Sequence, residues 1–200
     1  MSNIATLSID TIRQRLQRTS EVTSDTPYNN TEACLKQAAV LVPFVKVDHE
    51  WHLLFIQRAT HVKDRHSGQV AFAGGKREAS DINSQATALR ETHEEIGIAP
   101  KDIVVIGELN HHYSISDYEI TPVVATVPWP YPLTLQSSEV ATTFTIPLKW
   151  LASAENYKTK AREFNGKQHP VVYFDTYDGF LLWGATARMT VSLISLLQDS

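Results

Sequence analysis

Three glutamates follow an arginine closely near the end of a predicted helix. They are Glu91, Glu94 and Glu95, and Arg90 precedes them. At about 100° per residue, Glu95 and Glu94 lie roughly 40° and 60° to either side of Glu91, so all three carboxylates share one side of the helix. Because like charges repel there and the helix dipole disfavours them, we expect a cation nearby. Clustered carboxylates suit a hard divalent ion such as Mg²⁺, whereas a solvated helix face is the alternative interpretation.

The element that positions these acids is predicted to be a helix following a glycine turn. Asn83 or Ser84 is suited to cap its start, and Gly97 lies where helices commonly stop. A strand end and a turn at Gly74-Gly75 come before it. The helical period places an apolar stripe opposite the acids, formed by Ala86, Leu89 and Ile96. We therefore predict that the acids face away from the core.

The remaining pattern is that of an α/β chain. Apolar runs typical of strands occupy residues 38–47, 51–57, 103–109, 118–127 and 140–146. Short helices are predicted near 148–152 and at about 185–197, and a hairpin of 171–175 with 179–183 is predicted around Tyr177-Asp178. These elements predict a mixed sheet with helices packed on it.

The N-terminal residues are predicted to form a separate short helix and a connector. Ser8 can cap a helix that carries Ile9, Ile12 and Leu16 on one side, and residues 19–32 are polar and rich in turn formers. We therefore divide the chain into residues 1–32 and a main domain of residues 33–200. An organelle transit peptide is the alternative for the arginine-bearing start, and Asp10 argues against it.

Composition limits the classes of partner and compartment. The 200 residues fit one main domain, and a net charge of −4 gives no overall attraction for nucleic acid. The single cysteine, Cys34, excludes an internal disulfide and favours a reducing, cytoplasmic location. No apolar run approaches the roughly 20 residues of a membrane helix, so no membrane partner is expected. Both a monomer and a homodimer remain open.

The residues around the glutamates resemble the Nudix box. That motif has a glycine, a glutamate six positions later, and then Arg-Glu-apolar-any-Glu-Glu-any-Gly-apolar. Its second half appears here as Arg90-Glu91-Thr92-His93-Glu94-Glu95-Ile96-Gly97-Ile98. The first half departs from the pattern, because Asp81 replaces the glutamate and the following loop is one residue longer. The resemblance implies a Nudix-type α/β/α sandwich with a mixed sheet.

The resemblance also implies roles for individual residues. Glu91, Glu95 and Glu94 correspond to metal ligands for Mg²⁺ or Mn²⁺, together with the carbonyl of Gly75. Arg90 corresponds to a residue that pairs with and orients the box carboxylates. Nudix enzymes differ in their general base, and some take it from a distant loop. Here Glu139 is the candidate outside the box, and the residues that compete with it are Glu108, Asp117 and Glu119.

A second motif upstream is similar to that of Nudix enzymes that cleave coenzyme A. The chain has Leu54-Phe55-Ile56-Gln57-Arg58-Ala59, followed by Gly68-Gln69-Val70-Ala71-Phe72-Ala73-Gly74-Gly75. The interval between them is one residue longer than in the family motif. The motif's second arginine is therefore either replaced by Lys63 or displaced to Arg65. Ile56 and Ala73 also depart from the pattern. This resemblance implies that Arg58, Lys63, Arg65 and Gly74 bind substrate, where cations suit the phosphates of coenzyme A.

These resemblances predict a metal-dependent diphosphatase that cleaves coenzyme A to 4′-phosphopantetheine and adenosine 3′,5′-bisphosphate. The first alternative is a Nudix hydrolase acting on another nucleoside diphosphate compound, such as ADP-ribose, NADH or a nucleoside triphosphate. The second is a Nudix-fold binding or regulatory module without turnover. The intact set of three glutamates argues against this second alternative, because a pure binding module has little need for a metal cluster.

Overall fold

The computed structural model describes residues 4–17, 35–60, 67–114, 116–164 and 166–198. The predicted connector, Cys34, Lys63 and Arg65 therefore lie outside the described residues. The first half of the fold contains α1 (Ile9–Leu16), β1 (Lys36–Val47), β2 (Glu50–Arg58), β3 (Val70–Ala71), β4 (Gly74–Lys76), α2 (Ser84–Ile96) and β5 (Val104–Glu108). The second half contains β6 (His112–Tyr113), β7 (Tyr118–Thr126), β8 (Val140–Pro147), α3 (Leu148–Leu151), β9 (Tyr157–Phe164), β10 (Lys167–Phe174) and α4 (Gly184–Gln198).

The main sheet is mixed. Its central path runs β3-β2-β1-β7-β5, with β4 beside β1, β6 beside β7 and β8 beside β2. Strands β1 and β7 are parallel, whereas β1 pairs with β2 and β4 in the antiparallel sense. The crossover from β1 to β7 contains α2, which is the usual way to join parallel strands.

Helices cover both faces of this sheet. Along β1, Val42 and Phe44 belong to one apolar core together with residues of α1 and α4, whereas Leu41 and Val45 belong to a second core with residues of α2. Successive side chains of a strand point to opposite faces, so the two cores lie on opposite sides of the sheet. The predicted α/β/α sandwich is confirmed.

The N-terminal helix packs on the main core. Ser8 caps α1, as predicted, by accepting a hydrogen bond of 3.1 Å from the backbone N–H of Thr11. Ile12 and Leu16 are buried, but Ile9 is 38% exposed and does not share their packing. Leu16 lies so close to β5 that a Cβ on Gly107 would be 3.0 Å from it. The boundary between residues 32 and 33 stays a prediction.

Most predicted elements match those of the structure to within two residues. The hairpin predicted around Tyr177-Asp178 is present in reduced form. Tyr177 and Phe180 exchange backbone hydrogen bonds of 3.0 and 2.9 Å, and Phe174 donates one of 2.9 Å to Leu182, but the described residues 175–183 form no continuous strand. The long hairpin is β9–β10, and residues after Phe174 form only isolated bridges, Tyr173 with Trp183 and Tyr177 with Phe180. Sequence reasoning missed β9 because its side chains are charged and mostly exposed, so it lacks the apolar alternation that indicates a strand.

Among the described helices, none has the length and apolar character that crossing a membrane requires.

Candidate active site

Helix α2 begins and ends where its sequence predicts. The side chain of Asn83 accepts a hydrogen bond of 2.8 Å from the backbone N–H of Ala86, and Gly97 closes the helix at φ 77°. A Cβ at residue 97 would lie 2.9 Å from the backbone nitrogen of Thr134. Both the left-handed backbone and this close approach therefore favour glycine there.

The predicted orientation of α2 is wrong in one respect, because Glu95 points into the protein. It is 2% exposed and shares the buried side of the helix with Thr87, Ala88, Thr92 and Ile96. Glu91 is partly exposed and only Glu94 is open to solvent. The helical period gave the angles between the acids correctly, but it did not show which sector would meet the sheet.

The reason for this orientation is the short strand β4, where the sequence predicts a turn. Gly74 and Gly75 pair with Val40 and Ala39 of β1. The backbone N–H of Gly74 donates a hydrogen bond of 3.0 Å to Oε2 of Glu95. The buried carboxylate is therefore bound by the backbone of the strand beneath it.

Gly74 is required sterically against the backbone of β1, and a side chain on Gly75 would displace the carboxylate of Glu91. A Cβ on Gly75 would lie 2.5 Å from Oε1 of Glu91, and one on Gly74 would lie 2.3 Å from the carbonyl oxygen of Ala39. Real Cβ atoms do not approach other heavy atoms this closely. The absence of side chains at these positions lets two carboxylates of α2 reach the backbone of β4.

Arg90 organises the rest of the box. It forms a bidentate pair with Asp81, with Nε–Oδ1 and Nη2–Oδ2 distances of 3.0 and 2.9 Å. Its Nη1 donates 3.0 Å hydrogen bonds to Glu91 and Glu94, and its Nη2 donates one of 3.0 Å to the carbonyl of Lys76. One guanidinium therefore joins the loop, β4 and α2.

Asp81 is a buried partner of this arginine. Its side chain also accepts hydrogen bonds from the backbone N–H of Glu78 at 2.9 Å and from the hydroxyl of Thr87 at 3.0 Å. The hydrogen bonds from Arg90 hold the pKa of Asp81 well below its usual range, and Asp81 in turn raises the pKa of Arg90. Asp81 thus anchors the longer loop to α2 rather than facing the box glutamates. Sequence reasoning missed Thr87, whose type gave no signal.

Burial and mutual repulsion act on the carboxylates that contact β4. The pKa of Glu95 is raised to about 7, chiefly by burial and also by the charges of Glu91 and Glu139. Burial likewise raises the pKa of Glu91, and Glu94 and Glu139 contribute. The fold therefore holds two acids close together although this environment disfavours their ionisation.

The segment before β8 brings Glu139 toward the box. Backbone N–H groups of Thr134 and Gln136 donate to the carbonyls of Ile96 and Glu95, at 3.1 and 2.9 Å. The carbonyl of Glu139 accepts a hydrogen bond of 2.8 Å from Ala59. The exposed side chain of Glu139 therefore projects from a backbone anchored to both α2 and the end of β2.

Arg58 lies at the same end of the sheet. Its backbone N–H donates a hydrogen bond of 2.9 Å to the carbonyl of Gln69, and Val140 is its register partner across β8. Its charge lowers the pKa of Glu95. Arg58 and Glu139 are thus brought together with the box, while Lys63 and Arg65 lie outside the described residues.

Glu119, one competitor of Glu139, is occupied elsewhere. Its carboxylate accepts hydrogen bonds from His111 at 2.8 Å and Tyr113 at 2.9 Å, and it also pairs with Gln37. The other two competitors, Glu108 and Asp117, lie at the end of β5 and in the turn before β7.

The donor set around β4 fits a hard divalent cation. Within the described part of the chain, no three acidic, histidine or cysteine side chains converge as a ready-made metal site. The guanidinium of Arg90 lies between Glu91 and Glu94, and Glu95 is hydrogen-bonded to Gly74. Even so, two carboxylates with raised pKa values lie against a backbone free of side chains. A divalent cation would favour their ionised forms, and oxygen atoms are the ligands that Mg²⁺ prefers.

We predict that Asp81→Asn lowers the free energy of unfolding by about 3 kcal/mol at pH 7, because it removes the bidentate, largely buried ion pair and leaves Arg90 with only Glu91 and Glu94 as carboxylate partners. A lowered pKa stabilises the fold above the unfolded aspartate's value of about 3.9, and that stabilisation is lost as the pH falls further. The difference in the free energy of unfolding between the wild type and the variant should therefore become smaller below about pH 4. Urea unfolding at pH 7 and pH 3 measures both effects. Asp10→Asn, which removes an exposed ion pair with Arg13, is the matched control and should leave stability unchanged.

Comparisons with known proteins agree with this geometry. The model of the NUDIX domain matches residues 35–170. Proteins named "Uncharacterized Nudix hydrolase NudL" are similar: one from Enterobacter sp. (strain 638) is 36% identical over 152 residues, covering 76% of this chain and 78% of its own. One from Salmonella paratyphi B is 36% identical over 154 residues, covering 77% and 79%.

Among solved structures, a MutT/nudix family protein from Enterococcus faecalis superposes with a TM-score of 0.52. The identity is 13%, and the match covers 94% of this chain and 73% of the other, so it supports the fold alone. The family match spans the described sheet, the box helix and the segment carrying Glu139. The chain therefore belongs to the Nudix family and is a Nudix hydrolase.

Proposed function

We propose that this Nudix hydrolase is a Mg²⁺- or Mn²⁺-dependent diphosphatase that cleaves coenzyme A or its derivatives. The products would be 4′-phosphopantetheine and adenosine 3′,5′-bisphosphate. The observation that carries the proposal is the approach of Glu91 and Glu95 to the bare backbone of Gly74 and Gly75. Nudix hydrolases generally use divalent metal ions such as Mg²⁺ or Mn²⁺.

Glu91, Glu95 and Glu94 would hold the cation, together with the carbonyl of Gly75. A divalent ion bound there neutralises charge on the diphosphate and makes a water molecule more acidic. The protein's own contribution is to keep the carboxylates ionised and aimed at one place. Arg90 serves this purpose, because its hydrogen bonds to Glu91 and Glu94 limit where these side chains can turn.

Glu139 is the residue we propose as the base that takes the proton from the attacking water. It carries an exposed carboxylate, and the backbone around it is bonded to α2 and to Ala59. Its charge affects the pKa of both Glu91 and Glu95, so it lies within electrostatic reach of the box. Glu119 is less suited to this role, because three side chains donate hydrogen bonds to it.

The preference for coenzyme A rests on the upstream motif and on Arg58. Strand β2 carries this arginine to the end of the sheet beside the box, where a guanidinium can bind phosphate oxygens in a bidentate manner. Gly74 stays a predicted substrate-binding residue as well, and its backbone N–H donates to Glu95 beside the box. Lys63 and Arg65 stay predicted substrate-binding residues, and cytoplasmic location and oligomeric state stay predictions as well.

Glu91→Gln and Glu95→Gln should each lower kcat by orders of magnitude, because each removes a charged oxygen ligand while keeping the size of the side chain. Thermal unfolding should show that both variants fold. Glu155→Gln, at an exposed site in the 3₁₀ turn before β9, is the control and should retain wild-type turnover. Wild-type rates in both box variants would disprove the metal assignment.

Glu139→Gln should lower kcat by about 10²-fold or more while changing KM little, because a general base contributes about that much to the chemical step. Glu119→Gln serves as the matched comparison, and thermal unfolding should confirm that it folds, because three side chains donate hydrogen bonds to this carboxylate. Steady-state kinetics with Mg²⁺ and with Mn²⁺ separate kcat from KM. A loss of rate in Glu119→Gln but not in Glu139→Gln would reverse the assignment.

Coenzyme A should be hydrolysed with a higher kcat/KM than ADP-ribose, NADH or nucleoside triphosphates. A side-by-side panel with products resolved by chromatography measures this preference. Arg58→Gln should raise KM for coenzyme A because it removes a phosphate contact. Efficient cleavage of another compound, with coenzyme A left intact, would support the diphosphatase activity but disprove coenzyme A as the substrate. No turnover of any compound would favour a binding module.

A further inference from the structure

A cationic and aromatic surface lies on the β9–β10 hairpin, which contributes no residue to the box. The register pairs Lys158 with Tyr173, Lys160 with Val171, Arg162 with His169 and Phe164 with Lys167. Paired residues of an antiparallel ladder lie on the same side, and alternate pairs share one face. These eight residues therefore form a single face, which we call the hairpin face. The other face carries Val172 and Phe174, which belong to the core.

The hairpin face is positively charged, although the net charge of the whole chain is negative. It carries four Lys or Arg side chains and no acidic residue, whereas Glu163 of β9 lies on the opposite face. With those four charges set aside, the net charge of −4 becomes −8 for the rest of the molecule. All four side chains are exposed. Of the four, Lys158 has an ion pair in the described structure, a 3.3 Å contact with Asp175 in which both side chains are more than half exposed.

Two aromatic rings lie beneath these cations. Tyr173 and Trp183 are stacked, with centroids 5.7 Å apart and planes inclined by 4°. The guanidinium of Arg162 lies 4.9 Å from the Trp183 ring, and the ammonium of Lys160 lies 5.7 Å from the Tyr173 ring. Both rings are partly exposed. Lys160 and Arg162 therefore lie over aromatic rings while remaining exposed to solvent.

Protection of a free strand edge accounts for only part of this arrangement. Lysines on an exposed strand do discourage pairing between edges of different molecules. That purpose does not require a stacked tyrosine and tryptophan, or an arginine placed over the indole ring. Flat rings beside a row of cations match a ligand that alternates phosphate groups with aromatic bases.

We propose that the hairpin face binds single-stranded nucleic acid. Cations on one side of a strand recur every two residues, or about 6.8 Å, so a row of them can follow an extended phosphate backbone. The Tyr173–Trp183 pair and the Arg162 plane supply surfaces on which bases can stack. The net charge of the chain predicts no nucleic acid partner, because the acidic remainder masks this local surface. The proposal is independent of the substrate that the box cleaves.

Fluorescence anisotropy with a labelled 12-residue oligouridylate and the full-length protein tests the proposal. Three or four phosphate contacts predict a slope of log K against log salt of about −2 to −3. Lys160→Glu combined with Arg162→Glu should weaken binding at least about 10-fold and flatten the slope by about one. Lys101→Glu combined with Lys149→Glu changes the net charge equally at exposed sites elsewhere, and should bind nearly as well as wild type.

Base contact is tested separately from charge. Trp183→Leu should weaken oligouridylate binding by about 5-fold or more through lost stacking, and thermal unfolding should confirm that the variant folds. Oligothymidylate distinguishes DNA from RNA, and binding of either supports the proposal. Inorganic polyphosphate should compete poorly at equal phosphate concentration. Absence of binding at low salt, equal loss in the charge-matched control, or full competition by polyphosphate would each overturn it.

Discussion

The site depends on the contact between carboxylates of α2 and the bare backbone of β4. Glu95 accepts a hydrogen bond from Gly74, and Glu91 occupies the space that a side chain on Gly75 would need. Burying acids against a strand raises their pKa values, which is unfavourable for stability. A bound cation would offset this unfavourable effect, because it favours the ionised carboxylates.

Arg90 is the counterpart of this contact. It lies in the centre of an acidic group and distributes its hydrogen bonds over Asp81, Glu91 and Glu94. Without Arg90, the buried charge of Asp81 would lose its ion pair, whereas without Asp81 the guanidinium would keep Glu91 and Glu94. The shorter acid at position 81 and the longer loop together still bring a carboxylate to the guanidinium. The departure from the family pattern is thus accommodated locally.

Charge is divided between two regions of this small molecule. The box presents acids that suit a cation and, through it, a diphosphate, whereas the hairpin face presents cations over aromatic rings. Averaging over the chain hides both, because the opposite charges nearly cancel in the total of −4. Local charge, and not net charge, therefore indicates which ligands each region suits.

The sequence by itself determined the elements whose signals are local. The caps at Asn83 and Gly97, the order of most strands, the sandwich and the family all follow from spacing and residue type, because hydrogen bonds between near neighbours and apolar periodicity set them. It also gave the angular spacing of the three glutamates correctly.

Only the tertiary structure decided which side of α2 meets the sheet, and thus that Glu95 is buried. It likewise showed that Asp81 anchors the loop, and that residues 134–139 carry Glu139 toward the box. Each of these depends on contacts between residues far apart in the chain, such as Gly74 with Glu95 or Ala59 with Glu139. Helical periodicity and local propensity depend on neighbouring residues only, so they cannot predict such contacts. The charged strand β9 escaped prediction for a related reason, because its pairing with β10 rather than apolar alternation makes it a strand.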